Sequence, residues 1–321
     1  MIPRPSRGVR GLSALALLAG GLACRDGVPG EAPAIPESDE TPAAPVTEAL
    51  DYERSLVFMT AGADSALWVP WLFSASSRPE GVAREVHASL YRGGMWEPFL
   101  SEAWETPPSR AAWRILPRGP LRLVVSEGEA LERIIYAGGT RELEVELGDV
   151  LAEWTGARGE TFRLLDGGLI LGDRRTRGLV LDVVRTREPS SGAPGDWMLL
   201  VSGDSLQVVL HAPPGPAHAL ENPFRGWARL GFGRLDLPDV SIDWAEVRPF
   251  EPARRDVPVA WELSAESVDM TGRLDVSSSQ LEAGVGEGAI LPVSGLFEVT
   301  GTLTIRGSRY PVRGLIRHIQ T

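Results

Sequence analysis

Short apolar segments separated by turn-forming residues fill the chain from residue 51 to its end, and no other feature of the sequence restricts the fold as strongly. The segments are rich in Val, Leu, Trp and Phe, and Gly, Pro, Asp and Ser recur between them, as between strands. In Arg141–Leu147 the alternation is strict, with Leu143, Val145 and Leu147 on one face and glutamates on the other. No long segment keeps a helical period, so alternating β-α units are not expected. The sequence predicts an all-β body.

Two hairpin turns and one ambiguous segment refine this prediction. Arg306-Gly307-Ser308-Arg309 separates two apolar runs, and its glycine can adopt the positive φ of a tight turn. Ser202-Gly203-Asp204-Ser205 separates two further runs in the same way. The stretch from Glu129 to Tyr136 is compatible with either a strand or a helix.

Residues 203–206 spell Gly-Asp-Ser-Leu, which resembles the signature of a large family of serine esterases. In that family the serine ends a strand and opens a helix, and a later Asp-x-x-His supplies the general base. Here another predicted strand follows Ser205, and Leu315 stands three residues before His318, where the aspartate is required. We therefore interpret these residues as a hairpin turn and not as an esterase site.

Patterns for metal, phosphate or cofactor binding are not recognisable. The four histidines lack metal-ligand spacing, and neither a G-x-S-x-G elbow nor a P-loop occurs. The glycine-rich stretch 284–288 lies between predicted strands rather than before a helix. We expect no metal and no cofactor. The formal net charge of −11 also argues against a nucleic-acid partner, which requires a basic face.

The N-terminus has the pattern of an export signal that ends at Cys24, the only cysteine. A basic start precedes a short apolar run, residues 12–23, which is too short to span a bilayer as a helix. Gly21-Leu22-Ala23-Cys24 resembles the lipobox of bacterial lipoproteins, whose cysteine is acylated. An ordinary cleaved signal with an incidental cysteine is the alternative. We expect residues 1–23 to be a lipoprotein signal peptide and Cys24 to anchor an exported protein to a membrane of the bacterial cell envelope.

Residues 24–50 differ in composition from everything that follows. Pro, Ala, Glu and Asp dominate and aromatic residues are absent from Arg25 to Leu50, so this stretch cannot bury enough apolar surface to fold. We interpret it as a disordered tether that lets an anchored body stand clear of the membrane.

The C-terminal part contains a proline-led W-x-L strand, an L-x-V strand, a closing hairpin and an upstream Asp-Trp strand. These features lie at Pro258, Trp261, Leu263, Leu274, Val276, Gly295, Val299, Gly301, Gly307, Pro311, Val312, Gly314, Asp196 and Trp197. With them this part resembles the lipocalin-like family of carotenoid 1,2-hydratase and the AttH proteins, whose members are often labelled secreted hydrolases. The resemblance implies two tandem lipocalin-like antiparallel barrels, which we place at residues 51–190 and 191–321, with ligand space in a barrel or between them. The closing strand departs from the family, since Arg317 and His318 replace its acid and tyrosines, so hydratase activity is not carried over.

Three classes of function remain open, and binding of an apolar or amphipathic small molecule is the one we favour. Its candidate ligand-binding residues are Trp197, Trp244 and Trp261, although most of the ten tryptophans are expected simply to fill cores.

An enzyme of the hydratase or hydrolase type is the second class, and it would need an acid in a dry cavity. Asp182 interrupts an apolar strand and shares a face with Val180 and Val184, while Asp243 and Glu246 flank a tryptophan. Exposure, or pairing with arginines, is the plainer interpretation of these acids. The third class is a structural or assembly lipoprotein that contacts another envelope protein.

Overall fold

The computed structural model describes residues 49–60, 66–128, 130–156, 158–191, 195–212, 224–286 and 288–321. These residues form seventeen β-strands and three single turns of 3-10 helix, at Pro189–Ser191, Glu251–Ala253 and Glu266–Val268. In this part of the chain no helix is long and apolar enough to cross a membrane. The predicted signal peptide, Cys24 and the tether as far as residue 48 lie outside the described residues.

The first nine strands form one antiparallel sheet with the spatial order β4-β3-β2-β1-β9-β8-β7-β6-β5. They are β1 (Leu50–Thr60), β2 (Leu67–Arg78), β3 (Gly81–Arg92), β4 (Met95–Thr106), β5 (Leu121–Val125), β6 (Leu131–Gly138), β7 (Arg141–Thr155), β8 (Thr161–Leu171) and β9 (Arg174–Arg187). The sheet is curled into a half-barrel. Near its two edges the Tyr136 hydroxyl on β6 donates a hydrogen bond to the Phe99 carbonyl on β4 over 2.9 Å, and Arg141 pairs with Glu97 at 2.5 Å. Side chains therefore connect strands near the two edges that no backbone ladder joins.

The last eight strands form a closed antiparallel barrel, because β10 pairs with both β11 and β17. They are β10 (Trp197–Ser202), β11 (Leu206–His211), β12 (Phe224–Leu230), β13 (Gly233–Phe250), β14 (Arg255–Ala265), β15 (Met270–Ala283), β16 (Val293–Ile305) and β17 (Ser308–Gln320). Closure leaves the barrel without the unpaired edges that an open sheet must protect.

Three apolar clusters hold the body together. One fills the barrel and includes Trp261 and Phe297. A second covers the inner, concave face of the half-barrel sheet and includes Phe58 and Trp71. The third lies between the outer face of that sheet and the barrel, where Phe162 meets residues such as Trp197 and Trp227. Successive residues of a strand point to opposite faces, so β1 and β9 each supply both the inner cluster and the interface.

The all-β fold predicted from the sequence is confirmed, with one difference in detail. The second unit is a closed barrel, whereas the first is a curled sheet whose edges are not joined by backbone hydrogen bonds. The alternation in Arg141–Leu147 is confirmed, since Leu143 and Val145 are buried and Glu142 is exposed. The ambiguous segment forms strand β6, and β1 begins at Leu50, the last residue assigned to the tether.

Both predicted turns are present. Arg306 and Gly307 have φ values of 51° and 76° and link β16 to β17 as a two-residue turn, the type that matches strand twist. In the Gly-Asp-Ser-Leu segment Gly203 has a φ of 52°, and the Ser205 hydroxyl donates to the Ser202 carbonyl. Strand β11 follows at once, so this serine is a turn residue.

Candidate functional site

Asp182 lies on the inner face of the half-barrel sheet and is fully buried. Asp182 lies two residues after Val180 on β9, so both side chains point to the same face, and Val180 packs in the inner cluster. The antiparallel register places Arg163 of β8 directly opposite it. On the other side, Leu56 of β1 is opposite Asp182, and Arg54 lies two residues from Leu56 on the same face. Two arginines from neighbouring strands thus flank one buried aspartate.

The carboxylate of Asp182 binds both guanidinium groups. Arg54 donates through Nε to Oδ1 over 2.8 Å and through Nη2 to Oδ2 over 2.9 Å, which is a bidentate pair. Arg163 donates through Nη2 to Oδ2. A buried carboxylate without such partners would cost several kcal/mol. The arrangement therefore keeps one negative and two positive charges together on the inner face of the half-barrel sheet.

A cavity of about 350 Å³ lies beside this cluster. Its wall includes the aromatic residues Tyr52, Phe73, Trp104 and Trp113 together with both arginines, Arg54 and Arg163. The volume is at the lower end of the range for small-molecule sites, which are mostly apolar with a few fixed polar groups. The cavity has that composition.

The segment between β4 and β5 forms part of the cavity wall and is held in place by Arg84. This buried arginine of β3 donates through Nη1 to the carbonyls of Ala112 and Arg114, over 3.0 and 2.8 Å, and through Nε to the hydroxyl of Thr106 over 3.2 Å. Burial lowers the pKa of Arg84 below its ordinary value. Trp113, between the two bound carbonyls, is 54% exposed and lines the cavity.

A second polar cluster lies at the interface between the half-barrel sheet and the barrel. Arg185 of β9 donates to the backbone carbonyls of Gly195 and Asp196, and burial lowers the pKa of this arginine to about 10. The Asp196 carboxylate is hydrogen-bonded to Nδ1 of His318. Nearby, the His211 ring packs against both Trp154 and Phe162. Burial, and then the charge of Arg185, lowers the pKa of His211 to about 3.

The residues predicted from sequence lie in separate places. Of the three acids, Asp182 adjoins the cavity wall, whereas Asp243 and Glu246 are exposed on β13 of the barrel, where Glu246 pairs with Arg273.

The three tryptophans predicted as ligand-binding residues also lie apart from one another. Trp197 is buried at the interface, Trp261 in the barrel core, and Trp244 packs partly buried against that core with its ring 5.4 Å from His318. None of these tryptophans lines the cavity beside Asp182.

Sequence reasoning missed Arg54, Arg163 and Arg84. A signal was present for Arg84, which shares a face of its strand with Val82 and Val86. Arg54 likewise shares a face with Leu56. Arg163 alternates with Phe162 and Leu164, so its position resembles an ordinary polar one. Sequence did not reveal that β1 pairs with β9, which brings Arg54 to Asp182 across 128 positions of the chain.

Within the described ranges no group of three or more His, Cys, Asp or Glu side chains could hold a metal ion. The charged side chains that line the cavity are five arginines and two glutamates, and the Asp182 carboxylate is buried behind this wall.

Together, the fold and the cavity define an all-β protein in which an eight-stranded barrel packs on a curled sheet that contains a small aromatic cavity. Two solved structures share this fold. Kievitone hydratase from Nectria haematococca is 12% identical, with a TM-score of 0.55, and the match covers 87% of this chain and 94% of that one. A protein from Nitrosomonas europaea assigned as AttH is 11% identical, with a TM-score of 0.58, covering 90% and 99%. No protein-family model and no curated protein matches the chain.

Proposed function

We propose that this protein binds an apolar or amphipathic small molecule in the cavity of its half-barrel sheet. The observation that carries the proposal is the composition of the wall, where aromatic side chains surround about 350 Å³ beside a fixed arginine–aspartate cluster. Aromatic walls supply apolar contact, and a few fixed polar groups orient the ligand. The ligand would lie against Tyr52 and Trp104, close to Arg54 and Arg163.

Binding fits the geometry of Asp182 better than acid catalysis does. Both carboxylate oxygens already accept hydrogen bonds from guanidinium groups. A general acid or base has to reach the proton it transfers within about 3 Å, and this carboxylate lies behind its two arginines, fully buried. Asp182 would therefore hold the arginines in position and would not exchange a proton with the ligand.

A hydratase-type enzyme is the second candidate, and the fold shared with kievitone hydratase favours it. The two candidates differ in the fate of the ligand. A binding protein returns its ligand unchanged, whereas a hydratase returns it heavier by one water. Mass spectrometry of small molecules recovered after incubation with the protein separates the two.

The binding proposal is tested by filling the cavity. Val184 lines it and is only half-buried, so Val184→Trp should occupy the space with little effect on the core. N-phenylnaphthylamine is a neutral, apolar fluorescent probe, and the full chain should bind one molecule of it. Val184→Trp should weaken that binding at least ~10-fold. The control is Val247→Trp, at a 48% exposed valine of the barrel. Equal binding by all three proteins would refute the proposal.

We further propose that the body is exported and held to a membrane of the bacterial cell envelope by lipid on Cys24. The support is the basic start, the short apolar run and the Gly-Leu-Ala-Cys sequence. In bacterial cells, Cys24→Ala should move the protein from the membrane fraction to the soluble fraction without changing its fold. A variant that stays with the membrane would contradict the lipid anchor.

A further inference from the structure

We infer that the ligand of this cavity is an organic acid, bound as its anion with the charged group against Arg163 and Arg54. The inference rests on the proposed function, because it names the chemical class of the molecule in the same site. It follows from the balance of charge around the cavity and from the hydrogen-bond donors that remain at its wall.

Positive charge exceeds negative charge around the cavity. Among the described residues, five arginines and two glutamates line it. Glu53, Glu85 and Arg185 alternate with the inner-face positions of their strands, so these three side chains belong to the outer face. Their contacts agree, because Glu53 reaches Arg317 of the barrel at 3.7 Å and Glu85 lies 3.9 Å from His87. Both glutamates also line a separate cavity between the sheet and the barrel.

On the inner face one carboxylate is the counter-charge of two guanidinium groups. Asp182 is shared by Arg54 and Arg163, so this trio carries one net positive charge. Arg84 adds a third guanidinium, and the hydrogen bonds that hold it go to two carbonyls and a hydroxyl, all neutral acceptors. A cation buried without a counter-charge is costly. An anion in the cavity would supply the missing negative charge.

Hydrogen-bond donors also remain at the wall. Arg163 binds Asp182 through Nη2, and 29% of its side chain stays exposed although it is paired with that carboxylate. A guanidinium offers five N–H donors in a planar fork that matches a carboxylate or sulfonate. An acidic group beside Arg163 would satisfy donors that the protein itself leaves unused.

The aromatic residues of the cavity wall indicate the chemical nature of the uncharged part of the ligand. Tyr52, Phe73 and Trp104 present rings, which favour an aromatic or other flat apolar body through contact and stacking. The Arg54–Asp182–Arg163 trio carries one net positive charge, which a single acidic group beside it balances. The ligand class is therefore an apolar monoacid of modest size.

A matched pair of probes tests the inference. Anilinonaphthalene sulfonate and N-phenylnaphthylamine share the same aromatic body and differ by one sulfonate. The full-length wild type should bind the sulfonate at least ~10-fold more tightly than the neutral probe. Arg163→Gln, which keeps the Arg54–Asp182 pair, should abolish that preference while retaining the neutral probe, and Arg163→Lys should keep much of it. Arg248→Gln, an exposed barrel arginine that binds Ser279, is the control for net charge and should change neither affinity.

Each outcome has a definite meaning. Partly folded proteins also bind the sulfonate, so near-UV circular dichroism must show native packing in every variant compared. A wild type that binds both probes equally, or an Arg163→Gln variant that keeps the preference, would overturn the organic-acid inference and leave the binding function standing. A wild type that binds neither probe would overturn the proposed function itself.

Discussion

The carboxylate of Asp196 joins the start of β10 to His318 near the end of β17. One oxygen is hydrogen-bonded to Nδ1 of His318, and the other accepts the backbone N–H of Ile319 over 2.9 Å. These bonds lie where the barrel closes, since Trp197 pairs with Arg317 at the start of the β10–β17 ladder. Arg185 of the half-barrel sheet binds the backbone carbonyl of the same aspartate. One residue therefore links the closing seam of the barrel to the other sheet.

Loss of this carboxylate should destabilise the whole body. Hydrogen bonds to a charged group contribute about 1.5–3 kcal/mol each, so we expect Asp196→Ala to lower the free energy of unfolding by roughly 3 kcal/mol. Urea unfolding followed by tryptophan fluorescence measures the change. Asp204→Ala, at an exposed turn residue between β10 and β11, should stay within about 0.5 kcal/mol of the wild type. Equal effects of the two substitutions would show that the seam does not depend on Asp196.

Asp182→Asn should be costly because it leaves two guanidinium groups side by side without their shared counter-charge. Breaking a buried pair by removing one partner typically costs about 3–5 kcal/mol, and Asp182 is fully buried. The midpoint of urea unfolding should fall accordingly. Asp236→Asn removes an exposed partner of Arg234 and should change stability by less than about 1 kcal/mol. If Asp182→Asn unfolds at the same urea concentration as the wild type, the two arginines do not need this carboxylate as their counter-charge.

The interface between the sheet and the barrel should make stability depend on pH through His211. Its pKa is lowered to about 3 in the folded protein, first by burial and then by Arg185, whereas an unfolded histidine titrates near 6.5. The unfolded chain therefore binds one more proton between these two values, and stability is lost as pH falls below about 6.5, by ~1.4 kcal/mol per pH unit.

The comparison that isolates this effect uses His211→Phe, which keeps a ring against Trp154 and Phe162. Between pH 7 and pH 5 the wild type should lose about 2 kcal/mol more stability than this variant. The control is His87→Phe, which removes a different, half-buried histidine. If His211→Phe shows the same pH dependence as the wild type, protonation of His211 is not linked to unfolding.

Sequence predicts the strands of this fold best where alternation and turn chemistry are local. The Gly203 and Gly307 turns are examples. Strand β4 is difficult to predict because it contains Pro98 and several glutamates, which an edge strand tolerates since one side of it is unpaired. Strand β8 is difficult to predict because Gly167-Gly168 looks like a turn. In the structure a Cβ on Gly167 would lie 2.6 Å from Val180, so close packing accounts for that glycine.

The candidate site was less predictable than the fold, for a physical reason. Asp182 could be identified as a charge in an apolar strand, but its partners depend on strand order. β9 lies between β1 and β8, so Arg54, far away in sequence, and Arg163, on the preceding strand, both reach the same carboxylate. Periodicity assigns a residue to a face of its own strand, and it carries no information on which distant strand becomes the neighbour.

Native mass spectrometry of the full chain, recovered from the cells that produce it, tests the central claim most directly. The wild type should carry one small apolar acid per chain, and its release should identify the ligand. Val184→Trp, with the cavity filled, should be recovered without it, and Val247→Trp should carry it like the wild type. A wild type that carries no small molecule, or a Val184→Trp variant that carries the same one, would contradict a ligand-binding role for this cavity.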